Sequence, residues 1–117
     1  MRRGYIRVDG GDLQRACRTE TLSERLLGLM GTHELPYGDV MWLDHCDSIH
    51  TAFMRYPIDI CFSGRDGLVT GMSHGVAPWR MRLHLGAAFV LETRAGWLDK
   101  LGIKKKSRIE WVNNESL

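Results

Sequence analysis

Apolar and polar positions alternate in short runs along most of the chain, the period of β-strands rather than of helices. Gly4 to Val8 reads as an opening strand ended by the Asp9-Gly10-Gly11 turn, and Leu13 to Arg18 as a second. The pattern then changes once. Thr21-Leu22-Ser23-Glu24 fits a capping box, in which the Thr21 hydroxyl and the Glu24 carboxylate satisfy the first amides of a helix. Leu22, Leu26 and Leu29 follow at helical spacing, and Gly31 stands where a left-handed residue would end that helix. After the Glu34–Gly38 turn the β period returns. Val40 to Leu43, Ser48 to Met54, Ile58 to Phe62 and Leu68 to Ser73 are predicted strands. Within the third of these, Ile58, Ile60 and Phe62 share one face, and Asp59 and Cys61 take the other. Ser63 to Gly67 is a hairpin signal, with Asp66-Gly67 supplying positive φ. Ala87 to Thr93 reads as a buried strand, Gly96 to Gly102 as one or two helical turns, and Arg108 to Val112 as a final strand before a frayed Asn113–Leu117 end.

Many short strands with one early helix predict a mainly β (β-rich α+β) fold. The expected architecture is a compact antiparallel barrel or jelly-roll-like sandwich, with a short N-terminal helix and a second small helix near the C-terminus. At 117 residues, without repeats or a low-complexity linker, the chain reads as one domain over 1–117. Thirteen glycines, above the usual ~7%, fit a fold with many turns. A net charge of +2 is too close to neutrality to argue for nucleic-acid binding on bulk electrostatics. The start of the chain carries two arginines but no apolar run behind them, and Leu85 to Leu91 is far shorter than the ~20 residues that span a bilayer. Three cysteines without close pairing do not read as a disulfide framework. These features predict a cytoplasmic protein without a transmembrane segment.

The densest chemistry lies in His45-Cys46-Asp47-Ser48-Ile49-His50, followed by Arg55, Asp59 and Cys61. Cys46, His50 and Cys61 are suitable zinc ligands by type, but no C-x2-C or H-x3-H pair is present, and a strand would hold Cys46 and His50 about 13 Å apart. Cys46 or Cys61 activated by His50 would suit a thiol-dependent hydrolase, although no nucleophile signature surrounds either. Against both stands a small buried thiol that only packs. Asp59 is costly inside an apolar strand unless paired. It either joins His50 and Arg55 in a polar pocket or accepts backbone hydrogen bonds that fix a corner near Pro57. Trp79 with Arg80 and Arg82, and Lys104 to Lys106, could stack and neutralise a nucleic acid, or simply be solvated loops.

Five motifs occur in order: Arg25-x2-Gly28-Leu-Met30, Cys46-x-Ser48-Ile-His50-Thr51, Met54-Arg55-x-Pro57-Ile-Asp59, Arg65-Asp-Gly67 and Val90-Leu-Glu92-x2-Ala-Gly96. This series resembles the bacterial and archaeal domain-of-unknown-function 192 family over about residues 13–112. The resemblance implies a compact β-rich domain with a small helix. It supplies no catalytic residue, and many relatives are exported whereas this chain starts directly with the domain. Where relatives have a Phe-Trp-Met-Lys-Asn-like stretch, this chain reads Ala52-Phe-Met-Arg-Tyr56. The expectation is a non-catalytic binding or accessory domain without a cofactor. Its pocket would use His50, Arg55, Asp59, Trp79 and Glu92 to hold a small polar ligand or peptide. The alternatives are a thiol- or metal-dependent hydrolase and a weak nucleic-acid module.

Overall fold

The computed structural model describes residues 2–19, 40–51 and 54–114. Strand β1 (Arg2–Val8) turns at Asp9 and Gly10, whose φ angles of 51° and 72° suit the twist of a hairpin, and returns as β2 (Leu13–Arg18). Strand β3 (Val40–Asp44) then pairs with β2 in parallel, Ala16 opposite Val40. β4 (Ser48–His50), β5 (Ile58–Ser63), β6 (Val69–Val76), β7 (Met81–Leu83) and β8 (Phe89–Arg94) follow, then the one-turn helix α1 (Trp97–Lys100) and β9 (Ile109–Asn113). Seven strands form one sheet in the order β6-β5-β8-β3-β2-β1-β9, while β4 and β7 make a separate two-stranded ribbon.

Period-two alternation sorts the apolar residues onto the two faces of this sheet. One cluster draws from all seven strands, including Ile6, Ala16, Trp42, Cys61, Val69, Leu91 and Ile109, and adds Leu98 and Ile103 from around α1. A single cluster that reaches both edge strands requires the sheet to curl around it. The edges do meet at one end, where Leu68 bridges Arg108 and the Ile109 amide donates to the Gly67 carbonyl at 2.8 Å. The second cluster lies on the outer face of β3, β5, β6 and β8, and is covered by Ile49 of the ribbon with Cys46 and Met54. β3 and β5 are buried on both sides, and so carry near-continuous apolar runs.

The mainly β character and the small helix at Gly96–Gly102 are as the pattern predicts. The barrel or sandwich is not. The sheet is open and mixed rather than antiparallel, because β2 and β3 run parallel and the contact between β6 and β9 ends after a short stretch. The predicted Ser48–Met54 strand stops at His50. Buried Thr51 turns the chain away, its hydroxyl donating to the Ala77 carbonyl at 2.6 Å and accepting from the Arg80 amide at 2.8 Å. β7 has no counterpart in the apolar pattern, and Asn113 is paired in β9 rather than frayed. The helix predicted after Thr21 lies outside the described residues. Among the described residues no helix is long and apolar enough to cross a membrane.

Candidate functional site

At one end of the curled sheet the inner apolar face opens into a cleft of about 660 Å³, within the usual range for small-ligand sites. Its floor is aromatic. Trp42 of β3 stacks on Phe89 of the neighbouring β8, with ring centres 3.8 Å apart and planes 7° from parallel. Trp111 of β9 meets Trp42 edge-on at 5.8 Å. Gly4 on β1 makes room for that indole, since any side chain there would collide with the Trp111 ring.

The wall beside these rings is polar and held in place. Arg18, the last residue of β2, grips Asp44 at the end of β3 with two hydrogen bonds of 2.7 and 3.0 Å. The Trp42 indole N–H donates to the same carboxylate at 2.9 Å. The Arg18 guanidinium also lies over the Trp42 and Trp111 rings, at 4.8 and 5.5 Å from their centres. Burial alone would raise the Asp44 carboxyl. The hydrogen bonds from Arg18 and Trp42, with the charges of Arg18 and His45, outweigh it and hold the group below its ordinary 3.8. Asp44 is therefore a fixed anion at neutral pH. Trp111 is oriented in the same way, donating to Asn113 at 2.8 Å.

The rim adds His45 and Asp47 after β3, and Arg65 and Asp66 from the β5–β6 hairpin. His45 takes φ 51°, so the chain reverses sharply as it leaves the sheet. Asp66 is tied down by the Leu68 amide, which donates to its carboxylate, and by Arg108, which donates to its carbonyl at 2.8 Å. Arg65 is exposed and meets no carboxylate among the described residues.

None of the five pocket residues expected from the sequence lines this cleft. Asp59 is wholly buried and turned to backbone, accepting from the amides of Gly75 (2.8 Å), Gly96 (2.9 Å) and Leu98 (3.4 Å). Half-exposed His74 stands beside the carboxylate, its Nδ1 at 3.7 Å. Glu92 sits opposite Ile60 across β5–β8 and opposite Met41 across β3–β8. Cross-strand partners share a face, so Glu92 lies on the outer face and Asp59 on the inner one. Burial among apolar side chains pushes the Glu92 carboxyl up to about 8. His50 is half-buried on β4, and its buried Nδ1 has no hydrogen-bond partner among the described residues. Arg55 is exposed in the β4–β5 connection, and Trp79 is exposed beside β7.

The thiols are separated in the same way. Cys61 belongs to the inner cluster and Cys46 to the outer one, where its thiol donates to the Ser48 carbonyl at 3.1 Å. Burial pushes the Cys61 thiol up to about 12, leaving it protonated at neutral pH. Among the described residues no three His, Cys, Asp or Glu side chains gather closely enough to hold a metal ion. The residues that do converge, Arg18, Trp42, Asp44, Phe89 and Trp111, come from four strands and are not neighbours in sequence. One local signal was legible: Trp42/Asp44 and Trp111/Asn113 both place an acceptor two residues beyond an indole, on the same side of a strand.

Residues 7–111 match the model of a family described as Uncharacterized ACR, domain of unknown function 192. Two solved structures share the fold. One, from Sinorhizobium meliloti 1021, is described as a "putative transcription regulator". It is 21% identical and superposes with a TM-score of 0.77 over 93% of each chain. The other, a protein of unknown function from Novosphingobium aromaticivorans DSM 12444, is 25% identical with the same TM-score, 0.77, over 93% of this chain and 85% of that one. No curated protein matches the sequence.

Proposed function

The chain belongs to this family of uncharacterised proteins, and on that premise we infer that it is a non-catalytic binding or accessory domain whose cleft beside Trp42 holds a small polar ligand or peptide. The observation that carries this reading is the fixed wall of the cleft. Arg18, Asp44 and Trp42 lock one another through three hydrogen bonds, so a ligand meets a surface already ordered and loses little free energy to ordering it. Aromatic edges supply apolar contact, while the exposed Arg65 and the carboxylates of Asp47 and Asp66 supply polar contacts at the rim. The cleft therefore suits a molecule with an apolar ring or chain and charged or hydroxyl groups at its ends. Cys61, held protonated in the core, supports binding over thiol chemistry. In this reading the chain works as one domain in the cytoplasm.

A thermal-shift screen against metabolites, glycans and short peptides tests the assignment. Ligands that stabilise the protein should lose their effect in Ala88→Arg, which fills the cleft, and be weakened in Arg65→Glu at its rim. Stabilising ligands that are indifferent to both substitutions would place the site elsewhere.

A further inference from the structure

The ribbon strand β7 combines two features that a folded surface rarely leaves open together. Its flank carries a run of exposed large apolar side chains, Trp79 (64% exposed), Met81 (67%), Leu83 (60%) and Leu85 (77%). Its outer edge is also unpaired among the described residues. The Thr51 amide donates to the Arg80 carbonyl, and the His84 amide to the Asp47 carbonyl. Residues 80, 82 and 84 therefore turn their backbone groups towards β4, and Met81 and Leu83 turn theirs away. On that edge, among the described residues, the Met81 carbonyl accepts only the Arg82 guanidinium, and the Leu83 backbone has no hydrogen-bond partner.

The charges on the strand indicate what would cover it. The Arg80 and Arg82 guanidiniums bond to their neighbours' carbonyls and meet no carboxylate among the described residues. Arg82 lies opposite core residue Ile49, so Met81 and Leu83 stand on the other, solvent-facing side of the ribbon. A lipid surface would leave the edge amides unsatisfied in an apolar medium. A second copy pairing antiparallel through β7 would centre on Arg82 and set two guanidiniums opposite each other. An extended segment with an acidic residue facing Arg82, flanked by apolar residues facing Met81 and Leu83, satisfies both the backbone and the charge.

We propose that β7 is a docking edge for an extended apolar–acidic–apolar segment of a partner protein, which adds to the ribbon as a third strand. The probe is a capped peptide alternating valine and glutamate, titrated into the 15N-labelled full chain with an alternating valine–lysine peptide as control. The glutamate peptide is expected to shift the Met81 and Leu83 amide resonances and slow their exchange. In Arg82→Glu, affinity for it should fall about tenfold while the lysine peptide gains, since like charges opposite each other in a sheet repel. Arg80→Glu should shift the preference in the same direction, which guards against a folding defect peculiar to one variant. Failure of the glutamate peptide to bind, equal binding of both peptides, or shifts that spare Met81 and Leu83 would overturn the proposal. So would binding to phosphatidylglycerol vesicles, or a dimer in sedimentation that protects the same amides.

Discussion

Replacing Asp59 with asparagine tests whether this buried carboxylate is an anchor of the fold rather than part of a pocket. Its two oxygens take three backbone N–H groups, Gly75 on one and Gly96 with Leu98 on the other. These partners lie in the β6 bulge and at the start of α1, so one side chain ties a bulge and a helix to the beginning of β5. Asparagine keeps the shape but has a single acceptor oxygen, and its NH2 must face at least one of the donors. Losing a charge-assisted bond costs about 1.5–3 kcal/mol, and a buried donor left unpaired adds about 1–3. The expected loss for Asp59→Asn is about 2.5–6 kcal/mol, a large part of a typical 5–15 kcal/mol stability. Urea unfolding followed by tryptophan fluorescence should show the midpoint fall with the slope unchanged. His74→Ala should shift it little, because that contact is half-exposed. A loss below ~0.5 kcal/mol in Asp59→Asn would refute the anchoring role.

Gly67→Ala should destabilise by about 2–4 kcal/mol in the same assay. The residue has φ 85° and a methyl group would meet the Ile109 carbonyl, forcing apart the point where the sheet edges join. Glu92→Gln should change the pH dependence of stability. With its carboxyl raised from 4.5 to about 8, the native state binds more protons than the unfolded chain between those values. Wild-type stability therefore falls as pH rises through that window, by up to ~1.4 kcal/mol per unit, and the glutamine variant lacks this slope; parallel melting curves from pH 5 to ~8.5 would contradict it. Iodoacetamide at neutral pH should leave Cys61 unmodified in peptide mass mapping of the native protein, since its thiol is buried and pushed up to about 12. Rapid labelling there would reopen the thiol-enzyme reading.

Strand identity was legible in the apolar spacing, as in Ile58, Ile60 and Phe62, whose period of two places them together. The order of the strands was not. The parallel β2–β3 pair joins residues 16 and 40, and nothing in a local hydrophobic period distinguishes it from an antiparallel neighbour. β7 was missed because its large apolar side chains point into solvent, the reverse of the signal that marks a strand. The corner reading of Asp59 follows from the cost of a lone carboxylate in an apolar strand. Its partners at 75, 96 and 98 depend on tertiary contacts that no spacing rule encodes. The sequence could not show that Asp59 and Glu92 take opposite faces, because that follows from strand alternation only once Glu92 is set opposite Ile60. The cleft beside Trp42 needs β2, β3, β8 and β9 brought together in one sheet before its members become neighbours.

The four tryptophans allow the central claim to be read from one spectrum. Trp42 and Trp111 line the cleft, Trp79 flanks β7, and Trp97 opens α1. With the indole 1H–15N resonances assigned, each stabilising ligand from the screen is titrated into the labelled protein. The cleft assignment predicts that Trp42 and Trp111 move together, saturably, while Trp79 and Trp97 stay fixed. Ligands that move only Trp79 or Trp97, or that bind without moving any indole, would contradict it.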